Sequence, residues 1–547
     1  MPRSILAALP YCLPAAWTLA AVGACGLNVA GLDAGDDAGG DLPPWDADGT
    51  VEPDTVDVVP DAEPDTPEVT PDVTPDVTPE VTPDVEPDSV DVEPDGLDVE
   101  PDVPEIGDTA EAEVPMVCDP GGLDDSCSMS VLRRCRADGA GFDEVWCAFG
   151  CSGSGPTARC FDLDLPNVAD DTLLWAGTAP FAAPGARVVL FETDTGAIRA
   201  WDALGAELPR IRDAGEGDLG GIVFAAEAQG SGAPDLGIWS FSELRVPADL
   251  DVIGTGLRAM VLLSADEVRI EGRVLVGGST AVLAGATWVG HDRPGPGGSA
   301  GGSAQSRGGG AGGGGGGSEG SSSVDSGGGG GGFGGVGGAA GVASGHAGGD
   351  GGGPYGNASL LPLLGGSGGG GGGDGSGGRG GHGGGALEIV GAAGVWVEAG
   401  GGVNAGGGRG LGGNATGAGG GGGSGGAVLL VGPRVDIMGG VAANGGGGGA
   451  GAHSDSTGGN HGQHGQLATT AAAGGAGSGE GTSGGNGSDV GRLAGANGAS
   501  DSNDDDSGGG GGGAGRIRLD ALVIGVGGFV SSDEASTGTT RGTLVLY

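Results

Sequence analysis

Lysine is absent from all 547 residues, so the 22 basic residues are arginines. Without lysine there is no Schiff-base amine, no phosphate-loop lysine and no catalytic-lysine dyad. Positive charge is scarce in general: 72 acidic residues leave a formal net charge of -50, which repels DNA and RNA and argues against nucleic-acid partners. Aromatic residues make up only 4% of the chain, whereas Gly 138 dominates it, which argues against ordinary globular cores throughout.

What is present begins with an export signal. Arg3 supplies a short positive start, and Ile5 to Ala24 runs without a charge and closes on small residues. Pro10 and Pro14 interrupt this run, which disfavours a permanent membrane helix. The tetrapeptide Val22-Gly23-Ala24-Cys25 looks like a lipobox, in which small side chains admit a lipoprotein signal peptidase and the thiol carries the lipid. Cleavage after a 1–24 signal peptide leaves Cys25 as the lipidated first residue; ordinary cleavage near Ala24 is the competing reading. By resemblance to the lipoprotein sorting rule, Gly26 in place of Asp implies outer membrane or cell surface.

The rest of 25–117 is a stalk. Between Gly31 and Val117 there are 29 acidic residues, 15 prolines and no basic residue, with a loose repeat in Thr66-Pro67-Glu68-Val69-Thr70-Pro71-Asp72-Val73. Proline favours the extended polyproline helix and like charges repel, so this segment is read as disordered, solvated and unable to bury a core. A divalent-cation tether is the alternative, but carboxylates separated by proline do not converge on one ion.

Six cysteines then fall in 118–160: Cys118, Cys127, Cys135, Cys147, Cys151 and Cys160. An even set behind an export signal predicts a disulfide module, too small to fold on burial alone. Fifteen pairings are open at this point. The spacing lacks paired zinc knuckles and no histidine is near, which disfavours a metal site. Asp138-Gly139 reads as a hairpin turn, and Arg133-Arg134-Cys135-Arg136 is the densest basic patch, solvated or docked on an anionic glycan or the stalk. The pattern looks like cysteine-rich modules of secreted proteins from myxobacteria-like organisms.

After a β-rich lead-in over 161–236, region 237–547 repeats. Leu257 to Gly278, Gly385 to Gly407, Gly426 to Gly446 and Gly515 to Ser532 each carry short apolar pairs two residues apart. The assigned inward pairs are Val261/Leu263, Val268/Ile270 and Val274/Val276 in the first, Leu387/Ile389, Val395/Val397 and Val403/Ala405 in the second, and Val428/Leu430, Val435/Ile437 and Val441/Ala443 in the third. Three short strands per unit predict a mainly β fold, a right-handed parallel β-helix-like solenoid, with a β-sandwich as the alternative. Ser242 to Gly256 reads as an earlier coil and Thr543 to Tyr547 as a last strand. Glycine-rich insertions at 279–384, 408–425 and 447–514 leave after the third strand of each coil. Their partly triplet texture, as in Gly377-Gly378-Arg379 and Gly380-Gly381-His382, leaves two readings open: disordered loops, or polyglycine rods lying side by side.

Few residues suggest chemistry. Outward positions are read as Arg269, Trp396 and Asp436 on the second strand, and Leu262, Glu388, Leu429 and Arg518 on the first; they do not form the paired acids of a glycosidase. His453, His461 and His464 gather with Asp455 and Asn460 in one insertion, and Ser500 to Ser507 has alternating oxygens but no EF-hand glycine or closing glutamate. Neither is assigned a metal, and no cofactor is expected.

The succession Glu192-Thr193-Asp194-Thr195-Gly196-Ala197-Ile198, Gly221-Ile222-Val223-Phe224, GGSGGAVLL and GGGGAGRIRL resembles an uncharacterised group of glycine-rich surface lipoproteins of myxobacteria-like bacteria, over most of 161–547. Likeness to mycobacterial glycine-rich surface proteins is compositional. The resemblance carries no catalytic residues. Sequence and resemblance together point to a non-enzymatic, membrane-anchored surface protein whose partners are a surface glycan, matrix or envelope protein; a polysaccharide lyase or hydrolase on the same scaffold is the alternative.

Overall fold

The computed structural model describes residues 116–547, except 129, 148, 231, 321–323, 415, 454–457, 503–504, 533–537, 545 and 547. The export signal, Cys25 and the stalk over 31–115 lie outside the described residues. The described chain is mainly β, with no α-helix among its elements.

In the cysteine module, Val131–Cys135 pairs antiparallel with Phe142–Trp146 across a turn that contains Gly139, whose φ of 66° suits glycine. The disulfides join Cys118 to Cys135, Cys127 to Cys151 and Cys147 to Cys160. Two arginines of the basic patch pair within this hairpin: Arg136 donates to Asp143 at 2.7 Å and Arg133 lies 3.6 Å from Glu144.

Most of the remaining strands build three parallel ladders. One ladder runs through Leu236–Phe241, Ala259–Ser264, Ala386–Gly391, the first halves of Ala427–Ile437 and Arg516–Val526, and Thr539–Gly542. A second joins Leu244–Val246, Glu267–Ile270, Gly394–Val397 and the second halves of the two long strands. A third joins Ala186–Glu192, Asp251–Thr255, Arg273–Leu275, Gly402–Asn404, Gly440–Ala442 and Phe529–Ser531.

Alternate residues of all these ladders meet in one apolar cluster, because side chains two apart share a strand face. Met260 and Leu262, Val268 and Ile270, and Val274 and Val276 represent one unit; Leu387, Ile389, Val395, Val397, Val403 and Ala405 the next. The lead-in closes the first unit. Ile222–Glu227 pairs antiparallel with Leu236–Phe241, Ala186–Glu192 turns back on Ile198–Asp202, and Phe181, Phe191, Phe224, Trp239 and Phe241 pack over the core end.

Three expectations are corrected. Val261 and Leu263 do not face the inner cluster: Met260 and Leu262 do, since Met260 stands beside Leu387 and Leu262 beside Ile389. Every residue of Ala259–Ser264 is buried, so hydrophobicity does not distinguish its two faces. The outer face, with Val261 and Leu263, packs under Leu163, Leu165, Leu174, Leu360 and Leu363. Second, Thr539–Gly542 extends the first ladder ahead of Thr543 to Tyr547; of that expected strand, Leu546 forms an isolated antiparallel bridge with Leu163, Leu544 packs in the outer cluster, and residues 545 and 547 lie outside the described residues. Third, the coil read from Ser242 lacks its opening strand, which is Leu236–Phe241. Within the first insertion a hairpin, Ala281–Ala284 with Thr287–Gly290, covers the outer side of the third ladder through Ala284 and Val289.

Candidate functional site

The glycine insertions continue directly from the third ladder. Ala405 N donates to Ala442 O, and two residues on Gly407 N donates to Asn444 O. From there the described segments run side by side, joined by backbone hydrogen bonds that recur every third residue. Gly328 and Gly331 donate to Gly419 and Gly422; Gly407, Gly410 and Gly413 donate to Asn444, Gly447 and Ala450.

Segment 508–513 defines the local geometry. Gly508 and Gly511 donate to Ala499 and Ala496, Gly509 and Gly512 to Gly449 and Gly446, and Gly510 and Gly513 to Gly328 and Gly331. Their carbonyls accept from three other segments, Gly508 and Gly511 from Gly341 and Gly338, Gly509 from Gly485, and Gly510 and Gly513 from Gly422 and Gly425. Successive N–H groups therefore turn through a third of a circle, the geometry of a threefold extended helix with no internal hydrogen bonds. In the described segments the insertions are packed polyglycine rods rather than disordered loops.

Glycine spacing encodes a rod's place. An interior rod meets neighbours on all sides, and a Cβ at Gly510, Gly511 or Gly512 lies 1.9–2.0 Å from a backbone carbonyl oxygen. The runs 368–373, 419–423 and 508–513 are accordingly pure glycine and buried. Edge rods need glycine only on the inward third. In 458–465, Gly459, Gly462 and Gly465 donate to Gly413, Gly410 and Gly407, while Asn460, His461 and Gln463 are exposed. Glycine loses more conformational freedom on ordering than any other residue, so the rods depend on this shared network, in which each bond contributes about 0.5–1.5 kcal/mol net.

The positions read as outward stand in register, Arg269 beside Trp396 and Trp396 beside Asp436 on the second ladder, and Glu388, Leu429 and Arg518 in line on the first. Arg269 lies between Glu267 and Glu398 with its guanidinium 5.6 Å from the Trp396 ring, and Asp436 pairs with Arg434. These are ion pairs at a partly exposed surface, of small energetic weight. Leu262 is an inner-core residue, not an outward one. His461 and His464 each accept a backbone N–H through Nδ1, from Gly412 at 2.9 Å and Arg409 at 3.3 Å. Burial pushes His464 down to about 4, with the nearby Arg409 charge acting in the same direction, so the ring stays neutral and keeps its accepting lone pair. Asp455 lies outside the described residues. His453 comes together with Glu480 and Asp505, three residues distant in sequence, their ligand atoms all within 4.8 Å of one another. No motif spacing links them, so only the rod packing brings them together. Beside Asp505, burial pushes Asp506 up to about 7, and the carboxylates of Asp325, Asp505 and Asp374 add to the rise.

Glu388 is fully buried under the outer cluster rather than lining a cleft. Asn167 Nδ2 donates to its Oε2 at 2.9 Å, while Oε1 has no hydrogen-bond partner. Burial pushes its carboxyl up to about 7, and Asp520 adds to the rise. A pKa raised above the ordinary 4.5 stabilises the fold below about pH 4.5, a contribution lost as the pH rises through 7. Glu388→Gln keeps the acceptor for Asn167 and removes the titration. Relative to the parent, the variant is expected to gain on the order of 2 kcal/mol between pH 5 and pH 8 in chemical denaturation. An unchanged difference across that range would refute the buried-carboxyl assignment.

No protein-family model, curated protein or solved structure matches this chain.

Proposed function

We propose that this chain is an exported lipoprotein, held at the outer membrane or cell surface by lipidated Cys25, that carries a non-enzymatic adhesive or envelope- and matrix-contact body on an acidic stalk. In this reading the parallel ladders are coils of a right-handed β-helix. What supports the coil is the single apolar cluster fed by all ladders, together with parallel pairing between equivalent strands of successive units, a pattern foreign to an antiparallel sandwich.

The observation that carries the surface role is the rod bundle. Its interior is backbone packed against backbone, and its edge rods expose polar residues such as Asn460, His461 and Gln463, whose side chains also tie neighbouring rods together. A rigid surface of this kind suits many weak contacts to a polysaccharide, which add through multivalency. The resemblance to glycine-rich surface lipoproteins agrees with this role.

Cys25→Ala is expected to move the protein from the membrane fraction to the soluble fraction and to abolish its cleavage by protease added to whole cells. A variant that fractionates with membranes like the parent overturns the anchor. On a glycan array the purified chain is expected to bind without turnover; release of new reducing ends or unsaturated sugars from a polysaccharide panel would favour the lyase or hydrolase alternative.

A further inference from the structure

The distal turns of the rod bundle bring together residues that no sequence motif connects. His453 follows the rod 443–452, Glu480 sits in the turn between 472–477 and 481–488, and Asp505 precedes the rod 506–515. The rods are tied to each other just below these residues: Gly451 N donates to Thr482 O at 3.0 Å, and Thr482 N donates to Asp506 O at 3.3 Å. Gly479 has φ of 61°, and the His453 ring packs so closely on it that a Cβ there would lie 2.7 Å from Cδ2. The turn is thus shaped to bring Glu480 beside the imidazole.

We propose that His453, Glu480 and Asp505 form a binding site for one divalent transition-metal ion of the Zn2+ class. One imidazole nitrogen and two carboxylate oxygens, with ligand atoms within 4.8 Å of one another, match the donor set that Zn2+ takes. Ca2+ prefers an all-oxygen shell, and the histidine selects against it. Burial supplies an independent argument. Asp505 is 2% exposed and Asp506 1% exposed, and Asp506 Oδ2 has no hydrogen-bond partner. Asp325, 3% exposed, gives its backbone N–H to Asp506 Oδ1 at 2.9 Å, adding a third carboxylate to the same buried end. An ion held by His453, Glu480 and Asp505 places positive charge at this acid-rich end of the bundle. Three protein ligands leave the fourth position for water, so the ion clasps three turns of the bundle.

The test is titration of the full chain, stripped by chelator, with Zn2+ against a chromogenic competitor. One ion per chain is expected to bind. Glu480→Gln, at an exposed turn, and His453→Ala are each expected to weaken binding by at least about tenfold, a loss of the size seen for damaged metal sites. His461→Ala, whose ring accepts a backbone N–H instead, is expected to bind as the parent does. Far-ultraviolet circular dichroism checks that each variant retains the fold. Absence of Zn2+ binding by the parent, parental affinity in a folded Glu480→Gln variant, or displacement of Zn2+ by an equal concentration of Ca2+ each overturns the proposal.

Discussion

Gly511→Ala is expected to destabilise the rod bundle by about 3 kcal/mol or more, the upper range for forced overpacking. The methyl group would stand 1.9 Å from Asn486 O and 2.5 Å from its carbonyl carbon, and neither is the end of a flexible side chain. Relief requires one rod to move away from another. Displacing 508–513 strains hydrogen bonds to several neighbours at once, because its N–H groups and carbonyls serve different segments. Gly353→Ala and Gly375→Ala provide the control, since nothing lies within 4 Å of a Cβ at either position and neither has a positive φ. There the substitution is expected to be neutral or to stabilise by up to about 1 kcal/mol through the unfolded chain. Amide exchange over 440–515 should be accelerated broadly in the first variant and unchanged in the controls. Equal protection in all three would mean that the rods are not packed against one another.

The second large effect belongs to the cysteine module. Among the described residues, its own apolar cluster holds Leu132, Cys147 and Ala158, with Cys151 and Cys160 against them. Such a core does not offset the ordering of some forty residues, each of which costs about 1–2 kcal/mol in backbone freedom. The disulfides close loops of sequence separation 17, 24 and 13, each contributing about 3 kcal/mol in the chain-entropy account. Reduction is therefore expected to unfold 118–160 while the ladders of 186–542 persist. An arginine-specific protease reads this directly, because Arg133, Arg134, Arg136 and Arg159 all lie within the module. The oxidised module should resist cleavage and the reduced one be cut at these positions. Resistance that survived reduction would show that the crosslinks do not hold the module together.

Much of the scaffold was legible from local pattern. Apolar pairs two residues apart marked the strands around Val395/Val397 and Val435/Ile437 because those strands bury one face and expose or cover the other with polar groups. The same rule failed at Val261 and Leu263, where both faces are buried and a one-residue slip has no hydrophobic signature. Glu388 was legible as an outward position but not as a buried acid, since the residues that cover that face, including Asn167 and Leu363, come from distant parts of the chain. The cysteine count predicted disulfides, yet choosing among fifteen pairings needed the hairpin that brings Cys135 beside Cys118.

The sequence by itself determined which segments extend, because period-two apolar residues favour strands and glycine runs have no side chains with which to build a core of their own. Only the tertiary structure decided that the glycine runs become ordered rods and that His453, Glu480 and Asp505 meet. The physical reason is the same in both cases. A glycine rod makes no hydrogen bond within itself, so its order, and the position of every residue at its ends, is set by neighbours far away in the chain.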